Sequence, residues 1–130
     1  MKLSLVVIGL LFLVVPGMAL TYEDMARYPD QNIGQSITIV GEVNQVDYTS
    51  DGWAVRLITG RSEYGYYSGD DLFVYFFGTP TSGRVLEDDI IQVTGVFAGP
   101  FEYTTIFGAT REVPLITGTS YFINPISAKY

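Results

Sequence analysis

Aromatic and arginine side chains are the residues of this chain whose types and spacing suggest chemistry, and that chemistry is recognition. In the apolar segment 72–77, alternation puts Phe73 and Tyr75 on the face opposite to the three residues expected in the core. Aromatic rings on such a face, with an arginine beside them, stack on bases or sugars. Segments 53–58 and 101–114 add residues of the same kinds. The predicted ligand-binding residues are Trp53, Arg56, Tyr66, Phe73, Tyr75, Phe101, Tyr103 and Arg111.

Each part of this predicted surface also has a purely structural explanation. Phe73 and Tyr75 are covered, not open, if the loop around Tyr66 or the hairpin 101–114 folds over them. The loop either contacts a ligand with its tyrosines or closes the mouth of the fold, and the hairpin either shapes a groove or is a structural flap. The joint exposure of Phe73, Tyr75 and Trp53 is the observation that separates these alternatives.

Catalysis has little support, because the sequence contains no histidine and no cysteine. The usual general base near neutral pH is therefore missing, and the serines have no Ser–His partner. A carboxylate pair such as Glu63 and Asp70 would act only if folding brought the two groups together, and nothing in the sequence argues for that. We predict a protein that is not an enzyme and uses no cofactor.

Two acidic runs, 70–71 and 87–89, are the only candidates for a metal site. Calcium loops place several carboxylates at fixed intervals and complete the shell with backbone carbonyls and glycine turns. Neither run has that spacing. The three consecutive acids at 87–89 are predicted to be solvated surface, and no metal is expected at either run.

The first nineteen residues have the pattern of a secretory signal. Lys2 precedes an apolar run over residues 3–15, and Gly17 and Ala19 place small residues where a signal peptidase cleaves. We predict cleavage after Ala19, a single domain over 20–130, and a secreted or periplasmic location. The alternative is an uncleaved anchor that holds the domain outside the membrane, although a spanning helix needs about 20 apolar residues.

The domain that follows the signal is acidic. All fourteen Asp and Glu residues but only six of the seven Lys and Arg residues lie after Ala19, which gives residues 20–130 a formal net charge of −8. Proteins that bind duplexes need cationic side chains to displace counterions from phosphates. Nucleic acid is therefore disfavoured as a partner, and a membrane partner is expected only if the signal is not cleaved. The absence of cysteine excludes disulfides and a lipid-modified cysteine.

Periodicity and turn residues predict an all-β domain after one short helix. The helix covers 21–28 and is capped by Thr21, and a turn follows at Pro29. The first strand has a slip in phase between Val43 and Val46, which predicts a bulge. The remaining pattern predicts strands over 36–48, 53–58, 72–77, 90–98 and 117–123, and a hairpin of 101–107 with 111–114 after a turn at 99–100.

Two segments resemble OB-fold domains. Residues 37–43 are similar to the bent first OB strand, with alternating apolar residues followed by Gly41, one residue and Val43. Residues 84–95 are similar to the segment of leucine, acidic turn and apolar strand that ends in glycine, although Asp88 stands where the family usually has glycine. The likeness covers about 29–123 and implies a five-stranded Greek-key barrel. Since 78–89 has no room for the usual OB helix, we expect the helix 21–28 to close that end.

The resemblance implies a binding module but does not name the ligand, because OB barrels bind nucleic acids, sugars, proteins and peptides. Combined with the charge, it predicts an exported, non-catalytic OB-fold module that recognises a protein, peptide or glycan. Two alternatives stay open. One is a membrane-tethered envelope or structural subunit with an uncleaved N-terminal helix, and the other is a domain that binds single-stranded nucleic acid.

Overall fold

The computed structural model describes residues 19–60, 67 and 69–124. Residues 1–18 of the predicted signal peptide, the loop segment 61–66 that contains Tyr66, residue 68, and residues 125–130 lie outside these ranges. No helix within them has the length and apolar character needed to cross a membrane. The elements are α1 Tyr22–Arg27, α2 Pro29–Asn32, β1 Ser36–Tyr48, β2 Gly52–Ile58, β3 Asp71–Phe77, β4 Ile90–Thr104 and β5 Thr110–Ile123.

The five strands form one closed barrel in the order β1-β2-β3-β5-β4, which confirms the prediction of a small all-β barrel. Neighbouring strands are antiparallel except β3 and β5, which pair in parallel over a short stretch where Phe73 lies beside Leu115. Alternate residues of each strand point inward, so the barrel encloses a single apolar core. Its fully buried strand residues include Val55, Leu57, Leu72, Val74, Val93 and Ile116.

The first hairpin follows the sequence prediction closely. β1 covers the predicted range, and its register with β2 shifts between Val43 and Gln45, which confirms the bulge. The turn before β2 is closed by the Thr49 amide, which donates to the Gly52 carbonyl at 2.8 Å. The bulge bends β1, so the strand pairs with β4 over its first half and with β2 over its second half.

The predicted turn at Gly99 and Pro100 is wrong, because β4 runs straight through these residues. The register with β5 shifts between Phe97 and Gly99, and Gly99 has a φ of +109°, a conformation that glycine adopts without strain. Pro100 then lies opposite Pro114. The hairpin and the strands that flank it are therefore two continuous strands. They extend beyond the barrel as a two-stranded ribbon, residues 99–115, which we call the ribbon.

Helix α1 begins as predicted, because Thr21 and Asp24 form a reciprocal capping box. Met25 is buried in the core, and α1 packs against β4 and β5 at the base of the ribbon. The base of the ribbon lies beside the start of β3, whereas residues 78–89 follow the end of β3. The expectation that the helix closes the end next to 78–89 is therefore wrong. Pro29 opens a second short helix and not the predicted turn, since proline is tolerated in the first turn of a helix.

The segment 78–89 contains no helix, and Val85 takes part in the core in its place. The Tyr48 hydroxyl fixes this residue, because it donates to the Val85 carbonyl and accepts from the Val85 amide, both at 2.8 Å. Asp88 has a φ of +72°, a left-handed conformation that aspartate tolerates better than most residues. The loop is thus tied to the end of β1 before the chain enters β4.

Candidate functional site

Three adjacent strands present a mixed aromatic and polar outer face. Arg56 on β2 lies opposite Gln45 of β1 on one side and Phe73 of β3 on the other. The ribbon folds over this face, because the rings of Phe101 and Tyr103 meet the Phe73 ring edge-to-face at 5.4 and 5.1 Å between centroids. Aromatic pairs prefer this geometry, so the ribbon is seated on β3 by specific ring contacts.

A buried carboxylate ties the ribbon to the sheet. Asp71, the first residue of β3, is 1% exposed. Its Oδ2 accepts from Nε of Arg56 at 2.9 Å and from the Tyr103 hydroxyl at 3.2 Å. Its Oδ1 accepts from Nη2 of Arg111 at 3.1 Å. We call these four residues the Asp71 cluster; they come from β2, β3, β4 and β5, so the cluster joins the sheet to both strands of the ribbon.

The sequence analysis gave Asp71 no structural role, yet it is buried, while the neighbouring Asp70 is exposed. Alternation along β3 places Asp71 on the same face as Phe73, and that signal was available in the sequence. Carboxylates are almost never fully buried unless they are paired. The partner Arg56 lies 15 residues before Asp71 in the chain, and the partner Arg111 lies 40 residues after it. Local sequence patterns do not show that the ribbon brings Arg111 to this place.

Helix α1 contributes Tyr22 to the surroundings of the Asp71 cluster. Burial raises the pKa of the Tyr22 hydroxyl above its usual value of 10.0, and the nearby charges of Asp71 and Asp70 raise it further. The Arg111 guanidinium acts in the opposite direction and is the weaker influence. The Tyr22 hydroxyl is consequently uncharged at neutral pH and adds no charge to this end of the barrel.

A groove of about 610 Å³ lies between the ribbon and the outer face of β1–β3. We call it the groove. Sites for small ligands commonly have volumes of roughly 300–1,000 Å³ and combine apolar walls with a few polar groups. The sheet side of the groove is formed by Gln45, Asp47, Arg56 and Phe73, and the ribbon side includes Phe101 and Tyr103.

The turn at the end of the ribbon forms the rim of the groove and carries two adjacent apolar residues. Ile106 is 94% exposed and Phe107 is 91% exposed. The turn is ordered by its own hydrogen bonds, because the Thr105 amide donates to the Ala109 carbonyl at 2.8 Å and the Gly108 amide donates to the Thr105 carbonyl at 2.9 Å. The sequence prediction did not select these residues. The signal was two large apolar residues before a glycine, where turns are usually polar.

The structure brings five of the eight predicted ligand-binding residues together. Four of them line the groove, and Arg111 lies behind it in the Asp71 cluster. Tyr75 is half-buried on the same outer face but contacts Phe77, at 4.9 Å between centroids. Tyr66 lies outside the described residues. The four groove residues are Arg56, Phe73, Phe101 and Tyr103.

Trp53 does not belong to this surface, and its selection needs correction. It is 1% exposed, and its ring stacks on Phe76 at 4.2 Å and on Tyr48 at 5.6 Å between centroids. Trp53 and Arg56 are three residues apart on one strand, so alternation alone places them on opposite faces. The joint exposure of Trp53 with Phe73 and Tyr75 does not occur, and the surface formed by the ribbon takes its place.

No protein-family model, curated protein or solved structure matches this chain. What the groove can bind is therefore inferred from the residues that line it. Its hydroxyl groups belong to tyrosine and threonine, and the chain has no histidine to activate them. Rings, one carboxylate and one paired arginine are groups suited to holding a ligand in place.

Proposed function

We propose that residues 20–130 form an exported, non-catalytic OB-like binding module whose groove takes a protein, peptide or glycan ligand. The observation that carries this proposal is the groove itself, about 610 Å³ in volume, with partly exposed rings along one wall. The Asp71 cluster holds the ribbon over the sheet before any ligand arrives. A preformed site loses less free energy in ordering when it binds, which favours recognition.

Three features support the finer OB assignment. The strand order β1-β2-β3-β5-β4, with β1 paired to β4 and β3 parallel to β5, fits a five-stranded Greek-key barrel. Asp88 is left-handed at the position where the family usually has glycine. In OB folds the face of strands two and three and the loop between strands four and five bind the ligand, and the groove occupies those places.

Nucleic acid is the less favoured ligand. Residues 20–130 carry a formal net charge of −8, which repels phosphates at long range. The two arginines nearest to the groove are both paired with Asp71. Neither is therefore available for the phosphate contacts that dominate affinity for nucleic acids.

The binding proposal is tested by NMR with ¹⁵N-labelled exported protein, titrated with chitotetraose and with a thymidine 12-mer. A ligand of the groove shifts the amides of Phe73, Phe101 and Thr104, and the variant Phe101→Ser weakens those shifts. The matched control Phe122→Ser removes another exposed aromatic ring, on β5 outside the groove lining, and leaves them unchanged. Shifts confined to other surfaces contradict the proposal, and strong, salt-sensitive binding of the 12-mer contradicts the argument from charge.

Export is tested separately by mass spectrometry of the protein released from producing cells. The proposal expects a chain that starts at Leu20, because cleavage follows Ala19. An intact Met1 in a membrane fraction would instead support the membrane-tethered envelope subunit. The result does not depend on the ligand, so export and binding are judged independently.

A further inference from the structure

We infer that the groove binds an extended polypeptide segment of a partner protein, in which a large apolar side chain lies next to a lysine or arginine. This inference rests on the proposed function and narrows its ligand class. The apolar side chain packs between Phe101 and the two exposed residues of the ribbon turn, Ile106 and Phe107. The cationic side chain faces Asp47 on the opposite side of the groove.

The rings of the groove are arranged for contact with apolar side chains and not for stacking on a planar ligand. The Phe73 ring is contacted by both Phe101 and Tyr103. The guanidinium groups of Arg56 and Arg111 lie 5.6 and 5.9 Å from the centre of the Tyr103 ring. Bases stack on open ring faces. The rings of Phe73 and Tyr103 already have neighbouring rings or guanidinium groups beside them. The apolar surface that remains open is formed by Phe101, Ile106 and Phe107.

The arginine in the groove is not placed to hold an anion. Nε and Nη2 of Arg56 contact Asp71 Oδ2 at 2.9 and 2.8 Å, and Nη1 donates to Oδ1 of Asn44 at 3.1 Å. Arg111 gives Nη2 to Asp71 and Nη1 to the Tyr103 hydroxyl, both at 3.1 Å. A ligand phosphate or carboxylate would have to break a buried pair, which is unfavourable. An anionic ligand is therefore a poor fit.

Asp47 gives the groove its uncompensated charge. It is exposed in the groove lining and accepts a hydrogen bond from Nε2 of Gln45 at 3.3 Å. In the part of the chain that the structure describes, the arginines in ion pairs contact other carboxylates and leave Asp47 without a cationic partner. The net charge of −8 over residues 20–130 extends the same potential over the whole domain. Complementary charge speeds association and selects partners, so this groove favours a cationic segment.

The apolar turn argues for a protein partner. Ile106 and Phe107 stand 94% and 91% exposed on a turn closed by its own hydrogen bonds. Soluble proteins rarely expose adjacent large apolar side chains, and such exposed patches mark surfaces that bind other proteins or membranes. A second copy of this chain is disfavoured as the occupant, because each copy carries the same strong negative charge. An anionic membrane surface is disfavoured for the same reason.

The test is calorimetric titration of the exported protein with three capped heptapeptides. The first is Gly-Lys-Phe-Ile-Phe-Lys-Gly, the second has glutamate in place of both lysines, and the third has Ser-Thr-Ser in place of the apolar core. We expect the first peptide to bind at least about tenfold more tightly than either of the others. Phe107→Ser lowers its affinity severalfold. Asp47→Asn reduces the difference in affinity between the lysine and glutamate peptides, and the remaining charge of the domain retains part of that difference. The control Phe122→Ser changes neither result.

The possible outcomes separate this inference from the proposed function. Equal affinity for the lysine and glutamate peptides overturns the inference. No peptide binding, together with groove shifts produced by chitotetraose, overturns it and leaves the proposed function standing. If no probe shifts the amide signals of the groove, both the inference and the proposed function are overturned. Dimers in sedimentation velocity, or flotation with phosphatidylcholine vesicles, that are lost in Phe107→Ser would assign the turn to a second copy or to a membrane and overturn the inference.

Discussion

At the scale of single residues, Asp71 is the group on which the shape of the groove depends. It is buried while its partners Arg56 and Arg111 keep side-chain exposures of 24% and 47%. Removing one partner of a buried ion pair is costly because the other charges stay desolvated, and partial exposure of those partners reduces the cost. The carboxylate therefore holds the ribbon over the sheet, and its loss should cost less free energy than the loss of one partner from a fully buried pair.

The first prediction is that Asp71→Asn lowers the free energy of unfolding by about 2–4 kcal/mol, because it leaves two guanidinium groups without their carboxylate. Urea denaturation measures the loss, and hydrogen exchange of the ribbon amides shows whether the ribbon opens first. The matched control is Asp70→Asn, which removes the neighbouring exposed carboxylate and changes stability by less than about 0.5 kcal/mol. Equal stability of the two variants would show that the Asp71 cluster does not hold the ribbon.

The second prediction concerns the pH dependence at Tyr22. Burial and the neighbouring carboxylates raise the pKa of its hydroxyl in the folded state above the usual 10.0. The folded state thus holds this proton more tightly than the unfolded state does, so the contribution to stability is complete below pH 10 and is lost as the pH rises through the folded pKa. The unfolding free energy of the wild type, minus that of Tyr22→Phe, should therefore decrease in urea titrations as the pH rises above 10. A constant difference across that range contradicts the assignment.

The face of the sheet on which a side chain lies was predictable from the sequence wherever it follows from alternation along a strand. The outward positions of Phe73 and Tyr75 and the inward positions of Leu72, Val74 and Phe76 are those that alternation gives. The same rule, applied to β2, separates Trp53 from Arg56. The partners of Asp71 were not predictable, because they depend on pairing between residues far apart in the sequence.

At the scale of elements, local signals located β1, its bulge and the cap of α1, and they failed at Gly99 and Pro100. Glycine and proline together normally indicate a turn. Here Gly99 forms a bulge, and Pro100 and Pro114 lie opposite one another on the two strands. Neither proline has an amide hydrogen to donate between the strands, yet pairing continues on both sides of this position. Whether such a pair breaks a strand or only bends it is decided by the register of both strands.

The third prediction tests the aromatic stack beneath the barrel wall. A Cβ atom on Gly118 would collide with the ring of Phe76, which stacks on Trp53. Gly118→Ala should therefore lower the free energy of unfolding by about 1–3 kcal/mol, as overpacking of a core does. The near-ultraviolet circular dichroism of Trp53 should change with it. Ser120→Ala, on an exposed position of the same strand, is the control and should alter neither measurement.

At the scale of the whole molecule, the barrel and the groove depend on contacts that no local pattern encodes. The ribbon lies over β1–β3 because Phe101 and Tyr103 meet Phe73 and because Arg111 reaches Asp71. The sequence predicted a hairpin with aromatic and arginine side chains that could contact a ligand. It left open whether that hairpin covers the outer face of the sheet or stands apart from it. In the structure, one part of the ribbon covers Phe73, and the turn at its end carries exposed apolar residues.

The fourth prediction follows from the charge of the whole domain. Six basic residues against fourteen acidic ones produce self-repulsion that destabilises the compact state, and salt screens it over a Debye length of about 8 Å at 0.15 M. The buried pairs of Asp71 are screened much less than the exposed charges. Raising salt to about 0.15 M at neutral pH should therefore raise the melting temperature. Near pH 4.2, the isoelectric point of the full 130-residue sequence, most of the repulsion disappears, so the same addition of salt should have a smaller effect. A melting temperature that falls with salt at neutral pH would mean that attractive surface pairs outweigh the excess of carboxylates, which would also weaken the case for a cationic partner.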